Sequence, residues 1–119
     1  MDASTITILT DLANKAIARE KKAREDLAAR LTDTSRLVDG SDYRHAARAA
    51  GQALPYRMLL EDAEGEDFAT AFNRLRKRLT RQLLSTGDAQ TSCAMTNEIE
   101  RQRFAGYRDF LAATDMYTD

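Results

Sequence analysis

The chain has 119 residues, 43% of them hydrophobic and 31% charged, with one proline, no tryptophan and a net charge of −1. That is the size of one domain, too apolar for wholesale disorder and too evenly balanced in total charge to class as a polycation or polyanion. Cys93 is the only cysteine, which rules out an internal disulfide and a Cys/His zinc cluster, and no window reaches the roughly 20 apolar residues of a membrane-spanning helix.

The N-terminal stretch has no basic leader, and Asp11 and Asn14 interrupt its hydrophobic run, so no secretion signal is expected and a cytoplasmic setting is. From about Ser4 to Thr34 the chain is free of glycine and proline and rich in Ala, Leu, Glu, Lys and Arg, which predicts one long helix capped by Ser4 or Thr5. Its apolar positions Ile6, Leu9, Ala13, Ala16, Ala23 and Leu27 follow a three-four spacing, with Glu20 interrupting. The narrow alanine seam is the kind of surface that one helix offers another.

Thr32 to Ser35 and Asp39 to Asp42 carry turn chemistry, with Leu37 and Val38 as a small apolar patch between them and Ser41 as a helix cap. A short helix is predicted from Asp42 to about Gln52, its Ala46, Ala47 and Ala50 allowing close approach by a neighbour. Pro55 biases Leu54 away from helical geometry, so that helix should stop by Ala53 and a second segment should start at Pro55 and run to Glu64.

After Gly65, residues Phe68, Phe72, Leu75, Leu79 and Leu83 recur at spacings of four, three, four and four. This places them in one apolar stripe on a core helix that ends near Ser85, with Thr86-Gly87-Asp88 as its terminator. A last amphipathic helix is predicted from about Thr91, with Ser92 or Thr96 as a cap, to Ala113. It sets Met95, Ile99, Gln102, Gly106 and Phe110 on one line, with Phe104, Tyr107 and Leu111 beside them. The expected fold is all-α, a small bundle of three main helices plus one or two short ones, in a single domain over residues 1–119 with 1–3 and 114–119 frayed.

The strongest charge feature lies on the Phe68–Ser85 helix. Arg74, Arg76, Lys77, Arg78 and Arg81 stand there without an acidic residue among them, while Glu61, Asp62, Glu64, Glu66 and Asp67 precede its first turn. Clustered guanidinium groups suit phosphate contacts. The same distribution also complements the helix dipole, each charge contributing about 0.3–1 kcal/mol. Glu98 and Glu100 on the last helix are available to pair with the arginines, so the expectation is first a solvated or internally paired face and second a surface for an anionic partner.

No other residue set completes a catalytic constellation. His45 has Asp42 one turn back but no nucleophile in sequence range, and Cys93 has no accompanying histidine. Glu61, Glu64 and Glu98 lack the Glu-x-x-His element of carboxylate-bridged metal sites. A helix-turn-helix across residues 42–63 would have a proline in its turn and Met58, Leu59 and Leu60 where base-reading side chains belong.

The expected function is therefore that of a non-enzymatic protein-interaction module, an adaptor, regulator or assembly subunit that binds a protein partner or its own copies. The candidate contact residues are Ile6, Leu9, Ala13 and Ala16 on the first helix and Tyr107 and Phe110 on the last. The alternative is a nucleic-acid-associated protein that contacts phosphates through the Arg74 to Arg81 face. No cofactor, metal or small-molecule substrate is expected.

Overall fold

The computed structural model describes residues 1–33, 40–85 and 94–118, and all regular structure among them is helical. Helix α1 spans Ala3–Thr32, α2 Gly40–Asp62, α3 Phe68–Ser85 and α4 Ala94–Thr114, followed by a 3-10 turn, η1, over Asp115–Tyr117. The all-α architecture with a long N-terminal helix is as the composition and periodicity require. The Leu37–Val38 patch, the Thr86-Gly87-Asp88 terminator, Ser92 and Cys93 lie outside the described residues.

Local chemistry sets the helix starts. Asp2 caps α1: its Oδ1 accepts from the Thr5 amide at 2.8 Å, and these bonds hold its carboxyl below the usual carboxylate range. The cap falls on Asp2 and not on Ser4 or Thr5, because a carboxylate one residue outside the first turn satisfies the orphan N–H directly. Asp67 plays the same part for α3, its Oδ2 accepting from the Thr70 amide at 3.2 Å while its carbonyl accepts from Ala71 at 3.0 Å.

Helix α2 corrects the expected break at Pro55. The proline sits inside one continuous 23-residue helix and is fully buried. Its ring removes the N–H that would bond the carbonyl of Gly51, and tertiary packing on both sides of the break keeps the helix in line. Ser41, expected as a cap, is the second residue of this helix.

Helix α2 is also the one against which the others are arranged. With α1 it forms an antiparallel hairpin: Arg30 near the end of α1 meets Asp42 at the start of α2, and Glu20 meets Arg57 one and a half turns beyond the middle of α2. With α4 it runs in the same direction, as Arg48 reaches Gln102 and Tyr56 packs edge-on against Phe110 with ring centroids 4.8 Å apart. The α2–α4 crossing is a backbone contact. A Cβ added to Gly106 would lie 2.5 Å from the Gly51 carbonyl carbon, and one added to Gly51 would lie 2.8 Å from that of Arg103. Only a residue without a side chain fits either place.

The core gathers Leu9, Ala13 and Ala16 of α1, Ala53, Tyr56 and Leu59 of α2, Ala71, Phe72, Leu75 and Leu79 of α3, and Tyr107 and Phe110 of α4. The expected α3 stripe is thus the buried one, with Phe68 and Leu83 half-buried at its ends. Met1 and Tyr117 pack against this cluster from the two ends of the described chain, and Thr114 is fully buried. The core gathers toward one end of a molecule measuring 51 × 32 × 24 Å, beyond which the outer halves of α1 and α2 continue as an arm with the first half of α4 along α2.

Candidate anion-binding face of α3 and the surrounding ion pairs

The five cations of α3 separate into three kinds. Arg74 is tied to the acidic approach: it donates to Glu66 Oε2 at 2.7 Å and pairs with Asp62 at 3.3 Å. Hydrogen bonding between the two raises the Arg74 guanidinium above its ordinary value and lowers the Glu66 carboxyl. Arg76 turns the other way, into the fold. Its Nη1 donates to the Leu111 carbonyl at 2.9 Å and to Thr114 Oγ1 at 2.6 Å, its Nη2 lies 3.1 Å from Asp115, and its guanidinium stands 5.8 Å from the Phe72 ring centroid. Burial pulls Arg76 below its ordinary value, partly offset by Asp115. The residue closes the carboxyl end of α4, where unsatisfied carbonyls and the helix dipole favour a cation.

Lys77, Arg78 and Arg81 form the third kind. They are exposed and have no ion-pair or hydrogen-bond partner among the described residues. With Arg74 they stand at positions i, i+3, i+4 and i+7 of one helix face, opposite the apolar stripe, and together with Thr70 and Asn73 they line a shallow open depression. The expectation that Glu98 and Glu100 would neutralise this face does not hold. Glu98 pairs with Arg101 and accepts from Gln102, and Glu100 pairs with Arg103 at 3.0 Å, all within α4. The acids that do pair with α3 are Asp62 and Glu66, which precede it and hold Arg74, and Asp115, which meets Arg76 at its middle.

The other candidate contact residues are engaged inside the chain. Leu9, Ala13, Ala16, Tyr107 and Phe110 are buried members of the core, and Ile6 is half-buried outside it. The alanine seam of α1 is a helix-contact surface whose partner is α2 of the same molecule. His45 is exposed, and Asp42, one turn before it, is 3% exposed and paired with Arg30.

Three charged residues missed by sequence reasoning organise the fold. Glu20 is 1% exposed, with Arg24 2.7 Å from Oε1 and Arg57 2.7 Å from Oε2, the second contact being ionic and off hydrogen-bond geometry. The signal was its place in the seam: Leu9, Ala13, Ala16, Glu20 and Ala23 keep an unbroken four-three rhythm, so Glu20 belongs to the buried line. Arg48 and Asp109 join α2 to α4 through two hydrogen bonds of 2.6 and 2.9 Å, and Gln52 adds a third to Asp109 at 2.8 Å. The fork raises Arg48 and lowers Asp109 relative to their ordinary values.

Among the described residues, no group of three His, Cys, Asp or Glu side chains is placed to hold a metal ion, and no helix is long and apolar enough to cross a membrane. Fold and site define a small all-α protein with a basic outer helix face. No family model, curated protein or solved structure matches the chain.

Proposed function

We propose that the protein is a non-enzymatic interaction module that docks on an acidic protein surface, or on a second copy of itself, through the outer face of α3. The observation that carries this reading is the contrast along one helix: Arg74 and Arg76 are engaged by the protein's own acids and carbonyls, whereas Lys77, Arg78 and Arg81 stand side by side without partners among the described residues. A helix fixed on one side by Phe72, Leu75 and Leu79 presents these charges at a constant spacing, so no backbone needs ordering for their use. Glu61, Glu64 and Asp67 are exposed before the start of the same helix, which supplies complementary charge for a copy-to-copy contact. The non-enzymatic part of the reading is supported by the use of the clustered acids and arginines as joints between helices.

A second reading, contact with nucleic-acid phosphates, draws on the same stripe, two of whose three free members are arginines. Both are tested by one set of measurements. Binding of a labelled poly-glutamate peptide, a DNA duplex and a single strand is followed at two salt concentrations, alongside sedimentation of the protein alone. The variant Lys77→Glu/Arg78→Glu/Arg81→Glu is compared throughout. Peptide binding or self-association lost on charge reversal supports the first reading. DNA binding that weakens steeply with salt and is lost in the variant supports the second. A monomer that binds none of the probes overturns both.

A further inference from the structure

The α1–α2 arm contains a cleft that neither the core nor the α3 face uses. Ala23 of α1 and Ala49 of α2 line it, both almost fully covered, with longer polar side chains around them. The cavity is about 270 Å³, with Arg19 and Lys22 on its α1 wall and His45 and Gln52 on its α2 wall. A smaller cavity of about 90 Å³ shares Arg19 and Gln52 with it and is lined further by Tyr56, Asp109, Phe110 and Ala113. Beside the cation-rimmed larger cavity, the smaller one therefore offers Tyr56, Phe110 and Ala113 next to an Asp109 carboxylate that Arg48 and Gln52 already bind.

Its charges are unequally engaged. Arg48 is held by Asp109 and forms a fixed wall, and Lys22 has only a loose 3.5 Å contact with Asp26. Arg19 and His45 have no hydrogen-bond or ion-pair partner among the described residues. Arg19 is close enough to Tyr56 for its charge to oppose the rise that burial imposes on the phenol. Donors thus reach the mouth from both helices, while Asp26 is the one carboxylate lining the larger cavity.

We propose that this groove binds a small phosphate monoester with an apolar ring, the phosphate at the mouth between Arg19, Lys22 and His45 and the ring toward Tyr56, Phe110 and Ala113. A tetrahedral dianion offers three terminal oxygens and can take donors from both walls at once, which a planar carboxylate with two oxygens cannot do as well. Tyr56, Phe110 and Ala113 give the ring apolar neighbours, and the Asp109 carboxylate beside them is already taken up by Arg48 and Gln52. The site is separate from the α3 stripe and stands whether or not that stripe binds a partner.

The test is a titration of the full chain with phenyl phosphate, followed by amide NMR, with inorganic phosphate and benzoate as comparison ligands. Saturable shifts are expected at Ala23, His45, Ala49 and Gln52, with phenyl phosphate the tightest of the three. Arg19→Gln, an exposed change that leaves the core untouched, should weaken binding about tenfold, the value of one hydrogen bond to a charged group. Ala49→Leu should fill the cleft and abolish binding, whereas Lys77→Gln/Arg81→Gln on α3 should leave affinity unchanged. Shifts that fail to saturate, that are as large along α3, or that survive Arg19→Gln would overturn the site. Equal affinity for benzoate would overturn the phosphate assignment, and equal affinity for inorganic phosphate would overturn the role of the smaller cavity.

Discussion

Helix α2 meets two neighbours through small residues, and the outcomes differ. Against α4 the small residues are Gly51 and Gly106, and the backbones touch. Against the outer half of α1 they are Ala23 and Ala49, and a cleft remains. A methyl group is enough to hold two helices apart but not enough to fill the space it creates, so the alanine seam closes only where larger side chains from elsewhere enter it. That happens at Ala13 and Ala16, which lie in one cluster with Tyr56, Leu59 and Phe72. Farther along α1 no such side chain is supplied, and ion pairs at Glu20 and Arg30 hold the hairpin together around the gap.

One methyl added or removed on each seam separates the two cases. Gly106→Ala must displace the α2 backbone and is expected to destabilise by about 3 kcal/mol or more, read as a fall in the urea midpoint. On the open seam Ala49→Gly should cost only about 1 kcal/mol, the propensity difference for a helix interior. Equal losses at the two positions would show that the backbone contact is no tighter than the cleft.

Smaller effects come from the ion pairs. Glu20→Ala removes the buried acid that two arginines share. Since Arg24 and Arg57 are 63% and 39% exposed at their side chains and can rehydrate, a loss of about 2 kcal/mol is expected, less than for a fully buried pair. Arg76→Ala, which frees the Leu111 carbonyl and Thr114, should cost about 1–2 kcal/mol and show first as faster amide exchange at the end of α4. The smallest change is expected for Asp109→Asn, and its signature is in pH. Because Arg48 holds the Asp109 carboxyl below its ordinary value of 3.8, the folded state takes up that proton less readily than the unfolded chain. The stabilisation is complete above that ordinary value and is lost as pH falls through the lower folded value. The variant should therefore lose stability at neutral pH and show a shallower acid limb, and an unchanged acid limb would count against the Arg48–Asp109 clamp.

What could be read in the sequence follows from periodicity. The Phe68 to Leu83 stripe and the seam of α1 are repeated signals, and both describe buried faces. Pro55 misleads because its local preference is a matter of about 3 kcal/mol, within reach of the packing of Tyr56, Leu59 and Ala53 around it. Interior glycines such as Gly51 and Gly106 announce a close approach without saying to what, since each needs the other to explain it. The charges were least legible. Arg76 and Arg78 are two residues apart on one basic run, yet one closes α4 and the other faces solvent, a difference of some 200° around the helix that depends on where α4 lies.

Pro55 also divides a helix that is continuous in shape. With the Gly51 carbonyl deprived of its donor, α2 consists of two hydrogen-bond ladders that join where the α4 backbone lies against them. Native-state hydrogen exchange is expected to report two cooperative units. Residues 40–50 should open together with the outer half of α1 and the first half of α4, and residues 56–62 should open only with the core. The groove between Ala23 and Ala49 lies in the first unit, so whatever occupies it would slow the exchange of one end of α2 and leave the other unmoved.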